Sequence, residues 1–497
     1  MASSFVLLLF SLFACNGYKI LVYSPIIWYS HTNFMGTLAD ILTEAGHNVL
    51  QEPLRKVLQV QLQTVLMPLM DPAQKDKTRL KTTKNIIMVP TDPRVLQMKE
   101  FEKDILSDIW NMKPSIFELN RAWAATNMQA MFPFQCERVI DDKPLMERLE
   151  KEKFDLGMAE FISACGLGII EAVKIPASVV VYSVVYHDLI AQLIGEPSIP
   201  SYVPGCMSAS SDRMNLLERF KNAVDMIFGH NFFLNMYRRE IEVIRARFGS
   251  DFKNYEQLVV ESSLVLSNSN PYLDFPRPML YKTVPIGGIT FSKRIENNKL
   301  SEIPIFADQL RNANMLARHG GAIVLSKFDL ENKEKLKNSL LSLLNDERRV
   351  LVLFCKCSLE FSEMVQKPVY FLLRCIVKLN LKFSLPSISS YSQNAKRLSE
   401  MLRNQPISPK ELFIRHIEFA ARYAHKNIIV LEPGTEIGAS RFGRLPNLIS
   451  YGTQLSFLQY YFLDIFLAFF LTIIAAIYLI FKTFSKCFPS SPKIKND

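Results

Sequence analysis

Phe154-Asp-Leu-Gly-Met-Ala159, then Cys165-Gly-Leu-Gly-Ile-Ile-Glu-Ala-Val173, then Ala177-Ser-Val-Val-Val-Tyr182 succeed one another with only short connections. The first and third runs are short and apolar and read as buried strands; the middle run reads as a helix. Strand, helix, strand at this spacing is a parallel α/β pattern with a right-handed crossover. Upstream, Lys19–Tyr23 (Lys-Ile-Leu-Val-Tyr) reads as another strand. A polar turn, Tyr29–Asn33, then precedes a helix whose apolar positions 34, 35, 38, 41, 42 and 45 share one face, with Gly46 as its stop. Asn85–Val89 is a strand ended by Pro90, 215–248 is mostly helical, and Val259–Ser267 is a strand leading into a Pro-rich segment that ends at Gly288.

Beyond Gly288 the pattern thins. One short strand near Ala322 and two helices, about 308–318 and 330–345, are all that can be placed before residue 346. A second doubly wound domain needs several βαβ units of about thirty residues each.

The chain has 497 residues, more than one core usually serves, so two domains are expected. The formal charge of +10 comes from Lys and Arg spread along the whole length. With no aromatic-interleaved basic stripe, no nucleic-acid partner is expected. Residues 1–17 read as a signal peptide: an apolar run from Phe5 to Ala14, too short to span a bilayer, followed by small side chains. Residues 460–481 read as a transmembrane helix, with Tyr460 and Tyr461 suited to the headgroup belt. The basic tail 482–497 carries Lys482, Lys486, Lys493 and Lys495, which puts it in the cytosol. Its last two lysines have the spacing of a dilysine retrieval signal, so the expected location is the endoplasmic reticulum membrane, single-pass type I, with the bulk of the chain lumenal. Eight irregularly spaced cysteines imply no disulfide framework, and Cys355-Lys-Cys357 has no second pair at zinc-ligand spacing, so no metal is assigned.

Ser30-His31-Thr-Asn-Phe34-Met-Gly36-Thr-Leu38-Ala-Asp40 with Gly46-His47-Asn-Val49 resembles the opening of a UDP-glucuronosyltransferase of the nematode kind. The resemblance continues through Asp71-Pro72, Lys84–Pro90, Lys153-Phe-Asp155, Asn268–Pro278, Val284–Gly288, Pro304–Asn312 and Met401–Lys410 to the anchor. It implies an α/β fold of the glycosyltransferase B type: an acceptor-binding Rossmann-like domain at 18–288, a truncated UDP-sugar-binding domain at 289–459, and one C-terminal transmembrane helix. It further implies inverting transfer of glucuronic acid, or glucose, from a UDP-sugar co-substrate to a small lipophilic hydroxyl acceptor, as in xenobiotic metabolism, with no further cofactor. By the resemblance His31 is the catalytic base and Glu160 the carboxylate that polarises it, while Asp308 and Gln309 contact the donor sugar. Independently, a histidine just ahead of a helix N-terminus meets the positive end of the dipole, which favours the neutral imidazole a base requires. Glu160 ends its strand where ligands bind in α/β sheets.

The sequence departs from the family between Gly288 and Ile303. The His-Gly-Gly turn that meets the diphosphate, its following helix and the uridine-stacking Trp segment have no counterpart there. Leu50–Gln63, Val350–Ser390 and Tyr423–Ser440 look like insertions, a combination that suggests translated introns and skipped exons, or a decayed gene. Donors that hold charge on a leaving phosphate are worth several kcal/mol, so little turnover is expected of the chain as written. The competing expectation is a non-catalytic membrane protein that binds lipophilic ligands or associates with itself or with full-length relatives.

Overall fold

The structure is a computed structural model that describes residues 17–47, 63–98, 128–290, 308–320, 322–345, 390–424, 456, 458 and 463–487. Described residues through Ala424 fall in one compact unit and the C-terminal helix in another. In chain order the first unit runs β1 (Ile20–Tyr23), α1 (Tyr29–His47), β2 (Gln63–Pro68), β3 (Ile86–Val89), α2 (Met131–Ile140), α3 (Lys143–Lys151), β4 (Leu156–Glu160), α4 (Ala164–Ala172), β5 (Ser178–Tyr182) and α5 (Asp188–Leu193). It continues through α6 (Leu216–Phe248), α7 (Tyr255–Glu261), β6 (Leu264–Ser267), β7 (Thr283–Pro285), α8 (Gln309–Arg318), α9 (Lys333–Asn345), α10 (Ser390–Arg403) and α11 (Pro409–Ala424).

Seven strands form one sheet in the order β3-β2-β1-β4-β5-β6-β7, and every neighbouring pair is parallel. A parallel sheet covered on both faces needs strands that are apolar throughout, and β1, β2 and β4 are buried at every position. Alternate residues serve opposite layers. Leu21, Tyr23, Leu66, Val180 and Val265 join the core formed with α2, α4, α6 and α7. Ile20, Val22, Val65, Val179 and Leu264 join the one formed with α1 and α11. From α11, Phe413, Ile417, Ala420 and Ala421 are wholly buried there.

Two close approaches explain glycines. A Cβ on Gly157 would lie 2.4 Å from Ile170, and one on Gly166 would lie 2.5 Å from the Tyr23 ring. Their absence lets α4 lie directly on β4 and β1. A disulfide between Cys136 of α2 and Cys165 of α4 ties the helices together. The irregular cysteine spacing gave no hint of it, because the pair, 29 residues apart, meets only through the packing of two helices.

Three segments differ from expectation. Val259–Glu261 closes α7, and β6 begins only at Leu264; the Asn254–Gln257 capping box starts a helix within a run that is apolar enough for a strand. The polar stretch Tyr29–Asn33 is the first turn of α1 and not a loop before it. Ala322–Ser326 forms no strand. The expected signal peptide before Gly17, the expected insertions Leu50–Gln63, Val350–Ser390 and Tyr423–Ser440 apart from Gln63, Ser390, Tyr423 and Ala424, the Cys355-Lys-Cys357 pair and most of the tail lie outside the described residues.

The second unit contains α12 (Leu463–Cys487), about 37 Å long at 1.5 Å per residue. Its window Phe466–Thr483, of mean hydropathy 2.2, is long and apolar enough to cross a membrane by length and composition.

Candidate active site

Strand order reverses between β1 and β4, so the chain leaves the carboxyl ends of these two neighbours in opposite directions. Such a reversal opens the crevice where α/β sheets bind ligands. His31 and Glu160 both stand at this point. Glu160 is the last residue of β4, and the following Phe161 N–H donates to Val181 O at 2.9 Å, which holds the strand end against β5. His31 is the third residue of α1, reached after β1 by the short run Ser24–Trp28.

The two side chains meet. His31 Nδ1 lies 2.7 Å from Glu160 Oε1, with the carboxylate side chain 1% and the imidazole 13% exposed. Ser183, the residue after β5, completes a triangle: its hydroxyl donates to Glu160 Oε1 at 2.7 Å and lies 2.8 Å from His31 Nδ1. Nδ1 facing a carboxylate is the protonated nitrogen, which leaves the Nε2 lone pair to accept a proton. Trp28 and Phe161 wall the imidazole, with ring centroids 5.2 and 6.2 Å away.

Burial pushes the imidazole toward neutrality, yet the charge and hydrogen bond of Glu160, with the nearby Asp308, raise the His31 pKa overall. The helix dipole, read from sequence, would act in the opposite direction. A carboxylate in direct contact outweighs the fractional charge at a helix end.

Asp308 immediately precedes α8, and its carboxylate accepts from Asn312 Nδ2 at 2.8 Å. Burial raises its pKa, while Asn312 and His31 act to lower it, so Asp308 and His31 are within electrostatic reach. Gln309 is the first residue of α8 and is half-buried. The helix is seated on the sheet unit by Arg311, which is 1% exposed. Its guanidinium lies 3.0 Å from Asp274, donates to Pro204 O at 3.2 Å and stacks near Tyr186 and Phe275. Asn314 donates to Ala209 O at 2.9 Å, and Arg318 pairs with Asp212 at 2.7 Å. Thus His31 and Glu160 are in contact, Asp308 stands near them, and Ser183 is the member that sequence reasoning missed. The position after β5, the strand beside β4 at the reversal, was the available signal.

A parallel sheet carrying a paired histidine and glutamate at its reversal point defines an α/β protein with a candidate site whose imidazole can exchange a proton. Residues 20–302 match the profile of the family described as "UDP-glucoronosyl and UDP-glucosyl transferase", and the chain belongs to that family. It is 25% identical over 300 residues to the Caenorhabditis elegans protein named as UDP-glucuronosyltransferase ugt-47, covering 60% of this chain and 51% of that one. A mouse 2-hydroxyacylsphingosine 1-beta-galactosyltransferase is 26% identical over 286 residues, 57% of this chain and 48% of that one. Rabbit UDP-glucuronosyltransferase 2C1 is 29% identical over 244 residues, 46% and 45% of the respective chains. The chain spans about half the length of the curated relatives it matches. Among solved structures, the Streptomyces glycosyltransferase SsfS6 (TM-score 0.31, 81% and 99% covered) and spinosyn forosaminyltransferase SpnP (TM-score 0.34, 82% and 100%) are each 12% identical. Similarity at that level says nothing about the activity of this chain.

Proposed function

We propose that this protein transfers glucuronic acid or glucose from a UDP-sugar to small lipophilic hydroxyl compounds, with inversion at the anomeric carbon. The observation that carries this reading is the 2.7 Å contact between His31 Nδ1 and Glu160 Oε1 at the sheet's reversal point. His31 Nε2 takes the acceptor's hydroxyl proton, the freed oxygen attacks the anomeric carbon, and UDP leaves. Glu160 holds the imidazole in the required tautomer and stabilises its protonated form. Asp308 and Gln309 contact donor sugar hydroxyls in this reading, across a cleft of the glycosyltransferase B kind. Residues 289–459 supply what the chain has of the donor domain.

The Cys136–Cys165 disulfide supports an oxidising compartment, and α12 supports a membrane anchor. Together they favour the lumenal side of the endoplasmic reticulum membrane for the sheet unit. The experiment is to incubate purified full-length chain with UDP-glucuronic acid or UDP-glucose and 4-methylumbelliferone. Product that disappears in His31→Ala supports the reading; an equal rate in that variant sinks it.

A second reading is a membrane-bound family member without turnover, which binds lipophilic compounds or associates with full-length relatives. The placement of α8 favours it: buried Arg311 fixes this helix on the acceptor side, with Asp308 beside His31. It predicts thermal stabilisation by 4-methylumbelliferone, none by UDP, and no product.

A further inference from the structure

Glu240 lies on α6, remote in sequence from His31 and Glu160, and is 0% exposed. Both its oxygens engage the start of α4. Oε1 accepts from Ser163 Oγ and Oε2 from the Ala164 N–H, each at 2.6 Å. Ser163 is the N-cap of α4, and its hydroxyl oxygen also accepts from Cys165 N at 3.2 Å. An acid here opposes the positive end of the helix dipole and satisfies backbone donors that have no intrahelical partner.

The geometry links this grip to the site. Only Phe161 and Ile162 separate Glu160 from Ser163. Tyr23, the last residue of the strand that leads to His31, packs against α4 at Gly166. The groups facing Glu240 are Ser163 of α4, Tyr23 of β1 and Tyr255 of α7, with Tyr237 on its own helix; no basic group among the described residues pairs with it. Burial raises its pKa to about 7, so ionising it at that depth is costly. Ser163 already caps the helix, and capping alone would not require a second, buried acid.

We propose that Glu240 is a positioning residue: by holding the first turn of α4 it fixes the end of β4 and the orientation of Glu160 toward His31. This rests on the reading of His31 and Glu160 as base and partner, but its test does not depend on turnover. Neutral imidazole reacts with diethyl pyrocarbonate, so the rate of His31 carbethoxylation against pH, read by peptide mass spectrometry on the detergent-solubilised full chain, gives the midpoint of its titration.

Glu240→Gln is expected to lower that midpoint by about one unit, toward the value in Glu160→Gln, with Ser163→Ala shifting it less in the same direction. A Glu240→Gln protein that keeps its disulfide and thermal midpoint, yet leaves the His31 titration where it was, overturns the proposal. Should that variant fail to fold, Ser163→Ala decides in the same assay, and an unmoved midpoint there overturns it too. Failure of the base reading shows separately, as product formation unchanged in His31→Ala.

Discussion

Ser183 donates its hydroxyl hydrogen to Oε1 of Glu160, the same oxygen that holds Nδ1 of His31. The other carboxylate oxygen, Oε2, is buried without a hydrogen bond among the described residues. Among the described residues the hydrogen bonds on this carboxylate therefore all go through one oxygen, and losing either donor weakens its hold.

Ser183→Ala is accordingly expected to reduce kcat/KM for glycosyl transfer about tenfold, which corresponds to one hydrogen bond of about 1.4 kcal/mol to a charged group. Steady-state kinetics at saturating UDP-sugar measure it. A rate within twofold of wild type would remove Ser183 from the site.

The rate should depend on pH through His31. Its pKa is raised in the fold, so the acid limb of the pH–rate profile should have its midpoint above 6.5. In Glu160→Gln the carboxylate's contribution is gone, burial prevails, and the midpoint should fall below 6.5. The folded state binds the His31 proton more tightly than the unfolded state, so this stabilisation is fully present below pH 6.5 and is lost as pH rises through the folded pKa. Thermal midpoints of wild type and Glu160→Gln should therefore differ most at low pH and converge at high pH.

Reduction, or Cys136→Ser with Cys165→Ser, should destabilise the sheet unit by about 3.6 kcal/mol, the chain-entropy effect of opening a loop of this length. Denaturant unfolding of the full chain measures it. Cys206 should resist alkylation in the native protein, since it is buried and its thiol pKa is pushed well above the ordinary value. Rapid native labelling of Cys206 would contradict this.

Arg311→Ala should loosen α8. The change leaves Asp274 buried with Arg277 as its remaining cation, so a loss of about 2–4 kcal/mol is expected, at the lower side of what breaking a buried ion pair costs. Limited proteolysis should then cut within 309–318, where the wild type is protected. An unchanged digestion pattern would mean that the helix is held by other contacts.

The parallel sheet could be read from the sequence because its strands are short and continuously apolar, and β1, β3, β4 and β5 lie within two residues of their expected positions. His31 and Glu160 were legible through the family resemblance of the residues around them; their places, the start of a helix after a strand and a strand end, agree with that reading but would not have singled them out alone. Ser183 carries no local pattern, and Glu240 looks like any acid on a long helix until α6 crosses the start of α4. Cys136 and Cys165 are likewise ordinary until two helices meet. What local periodicity could not supply was partnership between distant segments. The boundary of β6 failed for a different reason: the apolar run Leu258–Val260 suits helix and strand equally, and a capping box decided it.

The burial of α11 against the α1 face of the sheet also sets an order of events at the ribosome. The strands up to β7 are complete by Pro285, but Phe413, Ile417, Ala420 and Ala421, which cover their second face, are translated more than a hundred codons later. At about 5–20 residues per second, that face waits on the order of ten seconds for its cover. During this interval a nascent chain presents the part of that face which α1 leaves uncovered to whatever chaperones attend it, and a ribosome stalled before α11 would release a product with that part still bare.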